Sequence, residues 1–391
     1  MRDADVVIVG GGMAGSTTAA MLARAGYGAV LVDPHETYPP DFRCEKLDES
    51  QVGLLRATGL ADELLSVADH SDCIWICRHG RLVEKRPATQ YSARYDLLVN
   101  RMRELAGDSI IVDKVTSIAP SADRQIVTLA RSGEISARLV VLANGLNRAL
   151  RGTLGLAQRE ISANHSISIG FDIVPKEADA FPFRSLTYFP ENLSQRIAYL
   201  SLFPFGGVTR ANLFAYREMD DNWLRQIRKT PVDTLDQALP NLRGTIGEFE
   251  IPSAVQVRPA TLYVTTNRER DGIVLVGDAA GTSCPSAGTG LNKVLTDVER
   301  LCNAYIPSWL ATEGMSAEKI GGFYADPAKT SCDAESLNRA FLAKRVATEN
   351  GLRWRTRRVV RYAAQRAVGI WRELTGPGDN DGRWPLLRRI H

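Results

Sequence analysis

A strand, a glycine-rich turn, a helix and a second strand follow one another at the N-terminus, and they constrain the fold more than any other feature. The continuous apolar run at residues 5–9 predicts a buried strand of a parallel sheet, and residues 10–15 form the turn Gly-Gly-Gly-Met-Ala-Gly. Residues 16–25 are rich in Ala and Leu and predict a helix, and Ala29–Asp33 predicts the next strand. Together these segments predict a β-α-β unit, from which parallel α/β sheets are built.

Each glycine of this turn has a separate steric role in binding a dinucleotide. Gly10 permits the tight turn, Gly12 lets the backbone approach a pyrophosphate, and Gly15 lets the helix pack closely on the strand. The free backbone N–H groups at the helix start, including those of Met13 and Ala14, and the positive end of the helix dipole would bind the phosphates. The turn therefore predicts a bound dinucleotide, either FAD or NAD.

An acidic side chain ends the second predicted strand. Asp33 follows Gly10 by 23 residues, the place where a carboxylate accepts hydrogen bonds from both hydroxyl groups of a ribose. The chain contains this glycine pattern once, so we do not expect a second dinucleotide to be held permanently.

The composition excludes several classes of protein. Of the 391 residues, 44% are hydrophobic and 24% are charged, which is typical of a globular chain with a sizeable core. The net charge of +3 is too small for a dedicated nucleic-acid binder, and no apolar run approaches the roughly 20 residues of a membrane span. The six cysteines include no second close pair beside Cys73 and Cys77, so they predict no zinc site. We therefore expect a cytoplasmic protein without a signal peptide or a bound metal.

The hydrophobic pattern changes along the chain and predicts a discontinuous domain with an insertion. Residues 165–265 alternate between apolar and polar positions, as antiparallel strands do. A continuous apolar run returns at residues 273–276, and the chain is largely helical from Leu291 onward. We predict a dinucleotide-binding domain formed by residues 1–72, 94–163 and 266–310. A β-rich substrate domain would be formed by residues 73–93 and 164–265, and a helical basic extension by residues 311–391.

The segment after the returning strand identifies the dinucleotide by resemblance. Gly277-Asp278 is followed after six residues by Pro285, and then by the helix start Gly290-Leu291-Asn292. Together with the N-terminal turn, this spacing resembles that of the group A flavin monooxygenases, the para-hydroxybenzoate hydroxylase family, over roughly residues 4–305. The resemblance implies FAD as the cofactor and an α/β fold, in which a β-rich substrate domain is inserted into a Rossmann-like FAD-binding domain and a helical extension follows.

By this resemblance, the second motif surrounds the flavin. Asp278 would bind ribityl or ribose hydroxyl groups, and Pro285 would lie near the ring where oxygen reacts. The backbone N–H groups of Leu291 and Asn292 would face the pyrimidine end of the ring, where a helix start stabilises the negative charge of reduced flavin. The glycines of the motif are assigned to cofactor binding with them: Gly277, Gly288 and Gly290.

Three further residues are assigned to the cofactor by the same resemblance. Arg43 and Arg94 lie in segments similar to those in which the family carries arginines that support FAD. Where the family has Ala-Asp-Gly after a strand, this chain has Ala143-Asn144-Gly145. Asn144 removes a charge near the expected path of the nicotinamide. The manner in which NAD(P)H, docking transiently, reduces the flavin is therefore left open.

The resemblance implies an FAD-dependent monooxygenase. NAD(P)H would reduce the flavin, and O₂ would then form a flavin C4a-hydroperoxide that hydroxylates an aromatic or electron-rich small molecule. The cofactor carries this chemistry, while the protein supplies position and excludes water. For catalysis we single out Pro285 beside the flavin, together with Tyr199 and Phe203, which would line the pocket for an aromatic or hydrophobic substrate.

The segment at residues 199–204, Tyr-Leu-Ser-Leu-Phe-Pro, leaves two alternatives open. Related flavin halogenases have Trp-x-Trp-x-Ile-Pro here, geranylgeranyl-reductase-like proteins have Tyr-x-Trp-x-Phe-Pro, and this chain keeps Tyr, Phe and Pro. An FAD-dependent reductase of a prenyl or olefin substrate is therefore the main alternative. A halogenase is less favoured, because the lysine it needs is absent around residues 75–81.

The C-terminal part of the chain is basic and amphipathic. Residues 339–391 contain thirteen basic and four acidic side chains. Apolar residues recur at helical spacing from Val360 to Leu374, with arginines between them. We favour a helix that packs its apolar side on the body of the protein and leaves a basic face in solvent. Peripheral contact with an anionic membrane, or with a partner protein, is the alternative.

Overall fold

The structure, a computed structural model, describes residues 2–43 and 45–375. Its contacts divide the chain into two compact units. Among the described residues, unit 1 contains the chain up to Asp69, Tyr91–His165 and Ala260–Ala340, and unit 2 contains His70–Gln90, Ser166–Pro259 and residues 341–375. Of the predicted extension, residues 311–340 thus belong to unit 1 and residues 341–375 to unit 2, and residues 376–391 lie outside the described chain.

Within the described residues, the strands are β1 (Arg2–Val9), β2 (Ala29–Asp33), β3 (Lys46–Leu47), β4 (Asp69–Arg78), β5 (Arg81–Ser92), β6 (Ile110–Val112), β7 (Val115–Ala119), β8 (Gln125–Leu129), β9 (Glu134–Leu142), β10 (Ala157–Pro175), β11 (Ser185–Tyr188), β12 (Ile197–Phe205), β13 (Val208–Ala215), β14 (Phe249–Glu250), β15 (Gln256–Thr266) and β16 (Ile273–Leu275). The helices are α1 (Met13–Arg24), α2 (Glu49–Ala57), α3 (Ala61–Leu65), α4 (Tyr95–Ala106), α5 (Ala149–Thr153), α6 (Asn222–Lys229), α7 (Pro231–Ala238), α8 (Leu242–Ile246), α9 (Gly290–Arg300), α10 (Ile306–Leu310), α11 (Ala317–Tyr324), α12 (Pro327–Thr348) and α13 (Leu352–Thr375).

Unit 1 is built on a mainly parallel sheet in the order β6-β2-β1-β9-β8-β7, with β16 also paired to β9. In the centre of the sheet, Val6 of β1 pairs with Ala29 of β2 and with Leu139 of β9. The apolar residues of β1, β2, β9 and β16 are buried on both faces of the sheet, which explains why these strands are continuous apolar runs in the sequence. The predicted α/β fold class is confirmed.

The helices of unit 1 differ from the predictions in two places. Helix α1 begins at Met13, three residues earlier than predicted, with Gly12 at its N-cap. The recurring leucines of residues 47–68 predict one helix, and this prediction is wrong, because the structure has two helices there, α2 and α3. Gly59 separates them with a φ of +74°, a left-handed conformation that ends a helix.

Unit 2 contains a sheet whose strands follow the order β14-β10-β13-β12-β11-β4-β5. One face of the sheet packs its apolar side chains, such as Ile169, Leu202 and Leu213, against helices α6, α7 and α8. These helices were not predicted, since the sequence pattern indicated a mostly antiparallel sheet for residues 165–265. The other side chains of β12 alternate to the opposite face, among them Tyr199 and Phe203.

Helix α13 lies against β4 and β5 in unit 2, but not in the predicted orientation. The buried residues of α13 are Trp354, Gln365 and Gly369, whereas Ile370 and Leu374 are exposed. The favoured interpretation, in which the apolar side packs on the body, is therefore wrong. Across the part of the chain that the structure describes, no helix has both the length and the apolar character needed to cross a membrane.

Candidate FAD-binding site

A groove of about 400 Å³ opens beside the glycine-rich turn of unit 1. The sequence-predicted residues that line it are Gly10, Gly12, Met13, Ala14, Asp33, Arg43, Asn144 and Asp278. They come from the ends of β1, β2 and β9, from the start of α1, from the loop before β3 and from the turn after β16. Segments distant in sequence therefore meet at one edge of the sheet. In parallel α/β sheets, ligands bind at this edge, beyond the carboxyl ends of the strands.

The turn itself leaves no room for side chains at two of its glycines. Gly10 has a φ of +104°, and a Cβ atom there would lie 2.7 Å from the carbonyl oxygen of Ala143. A Cβ atom at Gly15 would lie 1.9 Å from the carbonyl oxygen of Gly10. A Cβ atom at Gly12 would meet no atom closer than 3.9 Å, the nearest being a ring carbon of Tyr38 and the hydroxyl oxygen of Tyr95. The groove at Gly12 is therefore free for a ligand to approach the backbone.

Asp33 is fixed by backbone donors but keeps capacity to accept more hydrogen bonds. Its Oδ2 accepts from the Gly11 N–H at 2.6 Å, and its Oδ1 accepts from the His35 N–H at 2.9 Å. Oδ1 also lies 3.2 Å from His35 Nδ1, whereas Oδ2, which has two lone pairs, can still receive a hydroxyl group. The sequence did not predict Arg103, whose buried guanidinium also lies beside Asp33. Its Nη1 is 3.6 Å from Asp33 Oδ1 and donates to the Gly11 carbonyl.

Arg43 joins two acidic residues at the other side of the groove. Its Nε donates to Asp41 Oδ2 at 2.6 Å, and its Nη1 donates to Asp278 Oδ2 at 3.2 Å. The hydroxyl of Tyr38 also donates to Asp41, at 3.1 Å. Burial, with a contribution from Asp41, raises the pKa of Tyr38 to about 12, so this phenol stays neutral at ordinary pH. The contact between Arg43 and Asp278 connects the second motif to the Arg43 segment, which the sequence identified separately.

Tyr95 is a groove residue that the sequence analysis missed. Its hydroxyl oxygen accepts a hydrogen bond from the Met13 N–H, with 3.3 Å between the oxygen and the nitrogen. Burial raises the pKa of Tyr95 well above its usual value, so the hydroxyl remains protonated and can donate to a ligand. Its neighbour Arg94 pairs with Asp96 and does not line the groove.

Asn144 has a polar atom without a partner. Its Nδ2 donates to the carbonyl of Asn147 at 3.2 Å, whereas its Oδ1 is buried and has no hydrogen-bond partner among the described residues. A buried acceptor of this kind costs about 1–3 kcal/mol unless a ligand or water satisfies it. The groove thus offers backbone N–H groups, a carboxylate, a cation and an unsatisfied acceptor, which is a set of groups that fits FAD.

A buried ion pair holds the start of the second motif. Asp297 Oδ2 accepts from the Gly277 N–H at 2.9 Å, and Asp297 Oδ1 lies 2.6 Å from Lys329 Nζ. The side chains of Asp297 and Lys329 are at most 2% exposed. Gly277 has a φ of +60°, a conformation that favours glycine, and the residue after it is Asp278 in the groove. Residues at α9 and α12 therefore fix the position of Asp278.

Helix α2 supports the second half of the same motif. Gln51 Nε2 donates to the Gly288 carbonyl at 2.9 Å and to Asn292 Oδ1 at 3.0 Å. Asn292 Nδ2 donates in turn to Ser50 Oγ at 3.0 Å. Gln51 also closes the capping box of α2 with Asp48, which fixes its side chain.

The remaining motif residues lie at the beginning of α9. Gly290 is the first residue of the helix, and Leu291 is buried behind it. Pro285 begins a short 3₁₀ turn, Pro285–Ala287, and is exposed, as is Gly288 at the end of that turn. Pro285, Gly288, Gly290 and Leu291 all belong to unit 1, but none of them lines the groove.

The two predicted substrate-contacting residues lie in unit 2. The ring of Tyr199 is half-buried and packs 4.9 Å from Phe214 and 6.0 Å from Phe189, measured between centroids. Phe203 is 1% exposed and lies 6.4 Å from the ring of Phe205. Both belong to β12 and alternate to the same face of the sheet.

The parallel sheet, the glycine turn and the groove define a Rossmann-like dinucleotide-binding protein. A family model described as an FAD binding domain (FAD_binding_3) matches residues 3–307. The chain therefore belongs to this family, that of the group A flavoprotein monooxygenases, and is an FAD-dependent oxidoreductase.

Similar proteins with assigned activities include two hydroxylases. The chain is 24% identical over 335 residues to kynurenine 3-monooxygenase of Dictyostelium discoideum, covering 77% of this chain and 69% of that protein. It is also 24% identical over 335 residues to 3-demethoxyubiquinol 3-hydroxylase of Escherichia coli K12, covering 77% of this chain and 79% of that protein. Among solved structures, p-nitrophenol 4-monooxygenase PnpA from Pseudomonas putida DLL-E4 matches with a TM-score of 0.75 at 17% identity, covering 94% of this chain and 95% of that one. At this identity the structural match shows a shared fold alone.

Proposed function

We propose that the protein is an FAD-dependent monooxygenase that uses O₂ and NAD(P)H to hydroxylate an aromatic or electron-rich small molecule. The observation that carries this proposal is the groove of unit 1, which residues of both family motifs line and in which Arg43 contacts Asp278. The chain contains the glycine pattern of a dinucleotide loop once, which supports transient use of the nicotinamide donor. The two hydroxylases similar to this chain support the reaction type.

The groove residues have distinct roles in this proposal. The backbone N–H groups of Gly12 and Ala14 bind the pyrophosphate, and the start of α1 adds the favourable end of its helix dipole. Asp33 accepts from the ribose hydroxyls, and Asp278 accepts from the ribityl chain. Asn144 Oδ1 accepts a hydrogen bond that no described residue supplies. FAD, when bound, supplies the electron and oxygen chemistry of the reaction.

The beginning of α9 is proposed to hold the negative charge that reduction creates. Helix α9 starts at Gly290, and none of its first residues is acidic. Free N–H groups at a helix start favour an anion without any rearrangement at the moment of reaction. The hydrogen bonds from Gln51 to Gly288 and Asn292 keep this start in place.

The substrate is proposed to contact the face of the unit 2 sheet that carries Tyr199 and Phe203. This face combines aromatic side chains with polar ones, such as Ser201 and Asn212, unlike the uniformly apolar face that packs on α6–α8. Small-molecule sites are mostly apolar, with a few polar groups that set orientation. We therefore expect a ring-containing substrate with at least one hydroxyl or amino group.

The test is isotope incorporation by the FAD-loaded protein. Purified protein with NADPH and ¹⁸O₂ is incubated with a panel of phenols, hydroquinones and anilines, and products are analysed by mass spectrometry. One ¹⁸O atom in a hydroxylated product supports the proposal, provided that a Gly15→Ala variant without FAD yields none. Reduction of the flavin by NADPH without ¹⁸O in any product counts against it.

A reductase of a prenyl or olefin substrate is the second candidate. The observation in its favour is the retention of Tyr199, Phe203 and Pro204 in the segment where reductases of this kind carry the same residue types. Under anaerobic conditions, oxidation of pre-reduced flavin by a geranylgeranyl compound would favour this reaction over hydroxylation.

A further inference from the structure

Helix α13 has its apolar side in solvent and its polar side against the protein. Along Leu352–Thr375, the side chains that face unit 2 include Trp354, Gln365 and Arg372, with Gly369 at the closest approach. In a surface helix of a globular protein the apolar stripe normally faces the core. The reversed arrangement of α13 therefore needs an explanation other than packing among the described residues.

Specific contacts fix this orientation. A Cβ atom at Gly369 would lie 2.0 Å from the Val83 carbonyl oxygen, so only glycine allows this approach of helix and strand. Arg372 forms an ion pair with the buried Glu84. On the same side, Arg78 donates to Gln365 and the ring of Tyr362 meets His79 edge-on at 5.0 Å. A rotation of α13 that buried its apolar side would break all of these contacts.

The outward side of α13, which we call its apolar face, is nearly free of polar groups over six turns. At 100° per residue its members fall within one sector of the helix. The exposed fractions of the large ones are 80% for Leu352, 65% for Val359, 51% for Val360, 41% for Ile370, 48% for Trp371 and 81% for Leu374. Ala363 and Ala367 lie between them and are also exposed. Such a continuous exposed apolar strip marks an interaction site.

The charges around this face indicate what covers it. Helix α13 contains seven arginines and one glutamate. Arg353, Arg355 and Arg366 are exposed and lie along the margins of the apolar face. An apolar strip bordered by arginines, with Trp371 within it, matches the interfacial helices that insert into the headgroup region of anionic bilayers. A second copy of this chain would place equally basic helices together, which like-charge repulsion opposes.

We propose that the apolar face of α13 binds the surface of an anionic lipid bilayer, with the helix axis parallel to the membrane plane. Burial of Ile370, Trp371 and Leu374 among the acyl chains supplies the apolar contribution, and the marginal arginines pair with lipid phosphates. The proposal does not depend on the reaction, and it gives unit 2 direct access to compounds dissolved in a membrane.

The test is co-sedimentation of the FAD-loaded full chain with vesicles. Vesicles of pure phosphatidylcholine are compared with vesicles that contain one third phosphatidylglycerol. We expect saturable binding to the anionic vesicles, at least tenfold weaker binding to the neutral ones, and loss of binding as salt is raised. Emission from Trp371 should shift to shorter wavelength on binding, and Trp371→Phe should remove that shift.

Two sets of variants make the test specific. Ile370→Ser with Leu374→Ser should weaken binding to anionic vesicles at least tenfold, because each change removes an apolar side chain that would be buried in the bilayer. The matched control, Val67→Ser with Met219→Ser, changes apolar residues that are 38% and 42% exposed elsewhere and should bind as the unchanged protein does. Both variants should keep FAD and a normal circular dichroism spectrum.

Three results would overturn the proposal. The first is no binding to either type of vesicle. The second is equal loss of binding in the α13 variant and in the control. The third is a concentration-dependent dimer, seen by analytical ultracentrifugation, that the α13 variant abolishes, since the apolar face would then be an interface between copies.

Discussion

Replacement of Lys329 by methionine tests whether the buried ion pair holds the FAD-binding motif in place. Lys329 Nζ lies 2.6 Å from Asp297 Oδ1 and 3.3 Å from Asp333 Oδ2, and Lys329 is 1% exposed. Asp333 keeps a second cation, because Lys293 lies 2.9 Å from it. Asp297 would be left with a buried charge and no cation. Lys329→Met therefore removes the cation that pairs with Asp297 without a large change in side-chain volume.

The expected cost follows from this geometry. Removing one partner of a buried pair destabilises a protein by about 3–5 kcal/mol, because the other charge remains uncompensated. Changing both partners, in Lys329→Met with Asp297→Leu, should cost less than the single change. It should still cost about 1–3 kcal/mol, since the buried Gly277 N–H loses its acceptor.

The deficit of Lys329→Met should depend on pH with a defined sign. Burial raises the pKa of Asp297, and Lys329 opposes that effect, so removing the lysine raises the pKa further. The pKa of such a carboxyl is higher in the folded protein than in the unfolded one. At a pH below the unfolded pKa the carboxyl is protonated in both states and costs no stability. As the pH rises toward the folded pKa, the free energy of unfolding falls. The deficit should therefore be larger at pH 7 than at pH 5.

The assay is urea unfolding of the FAD-loaded protein, followed by flavin fluorescence and by circular dichroism. The matched control is Arg339→Met on the same helix, where the pair with Glu335 is half-exposed and worth at most about 1 kcal/mol. Similar losses in the two single variants, or a Lys329→Met deficit that shrinks as pH rises, would refute the reasoning.

Further predictions concern the groove and a buried thiol. Gly15→Ala should yield protein without FAD, because its Cβ atom would clash with the backbone. Gly53→Ala should retain FAD, because its Cβ atom would have no described atom within 4 Å beyond its own helix and chain neighbours. The flavin absorbance of the purified proteins measures both. Asp33→Ala should weaken FAD binding at least tenfold, consistent with about 1.5–3 kcal/mol for hydrogen bonds to a charged group, while the control Asp62→Ala, at an exposed position, should not. Equilibrium titration of the apoproteins with FAD measures both affinities, and equal affinities would contradict the role of Asp33. Burial raises the pKa of the Cys77 thiol to about 12, so Cys77 should resist iodoacetamide at pH 8 in the native protein and react after unfolding, as peptide mass mapping would show.

The parts of the site that could be predicted depend on local sequence. The turn around Gly10 and the strand that ends at Asp33 follow from short-range steric rules, so their positions in the groove agree with expectation. The assignment of Asp278 needed the family resemblance, because nothing in its own neighbourhood specifies a ligand. Contact between Arg43 and Asp278 joins residues 235 positions apart, which no local pattern contains.

The parts that were missed depend on tertiary contacts. Tyr95 reaches the Met13 N–H across 82 residues, and Arg103 reaches the Gly11 carbonyl across 92. Periodicity identified α13 as amphipathic but could not show which side it turns to the protein. That choice is made by Gly369 against the Val83 carbonyl and by the ion pair of Arg372 with Glu84, and both depend on strands far away in the sequence.

The reaction of the reduced protein with oxygen tests the proposed monooxygenase function most directly. The FAD-loaded protein is reduced without oxygen and then mixed rapidly with oxygenated buffer, with and without a phenolic compound, while the flavin spectrum is recorded. We predict a transient spectrum, distinct from those of reduced and oxidised flavin, whose decay accompanies hydroxylation of the phenol. Direct return to oxidised flavin under every condition, with all of the oxygen recovered as hydrogen peroxide, would contradict the monooxygenase function.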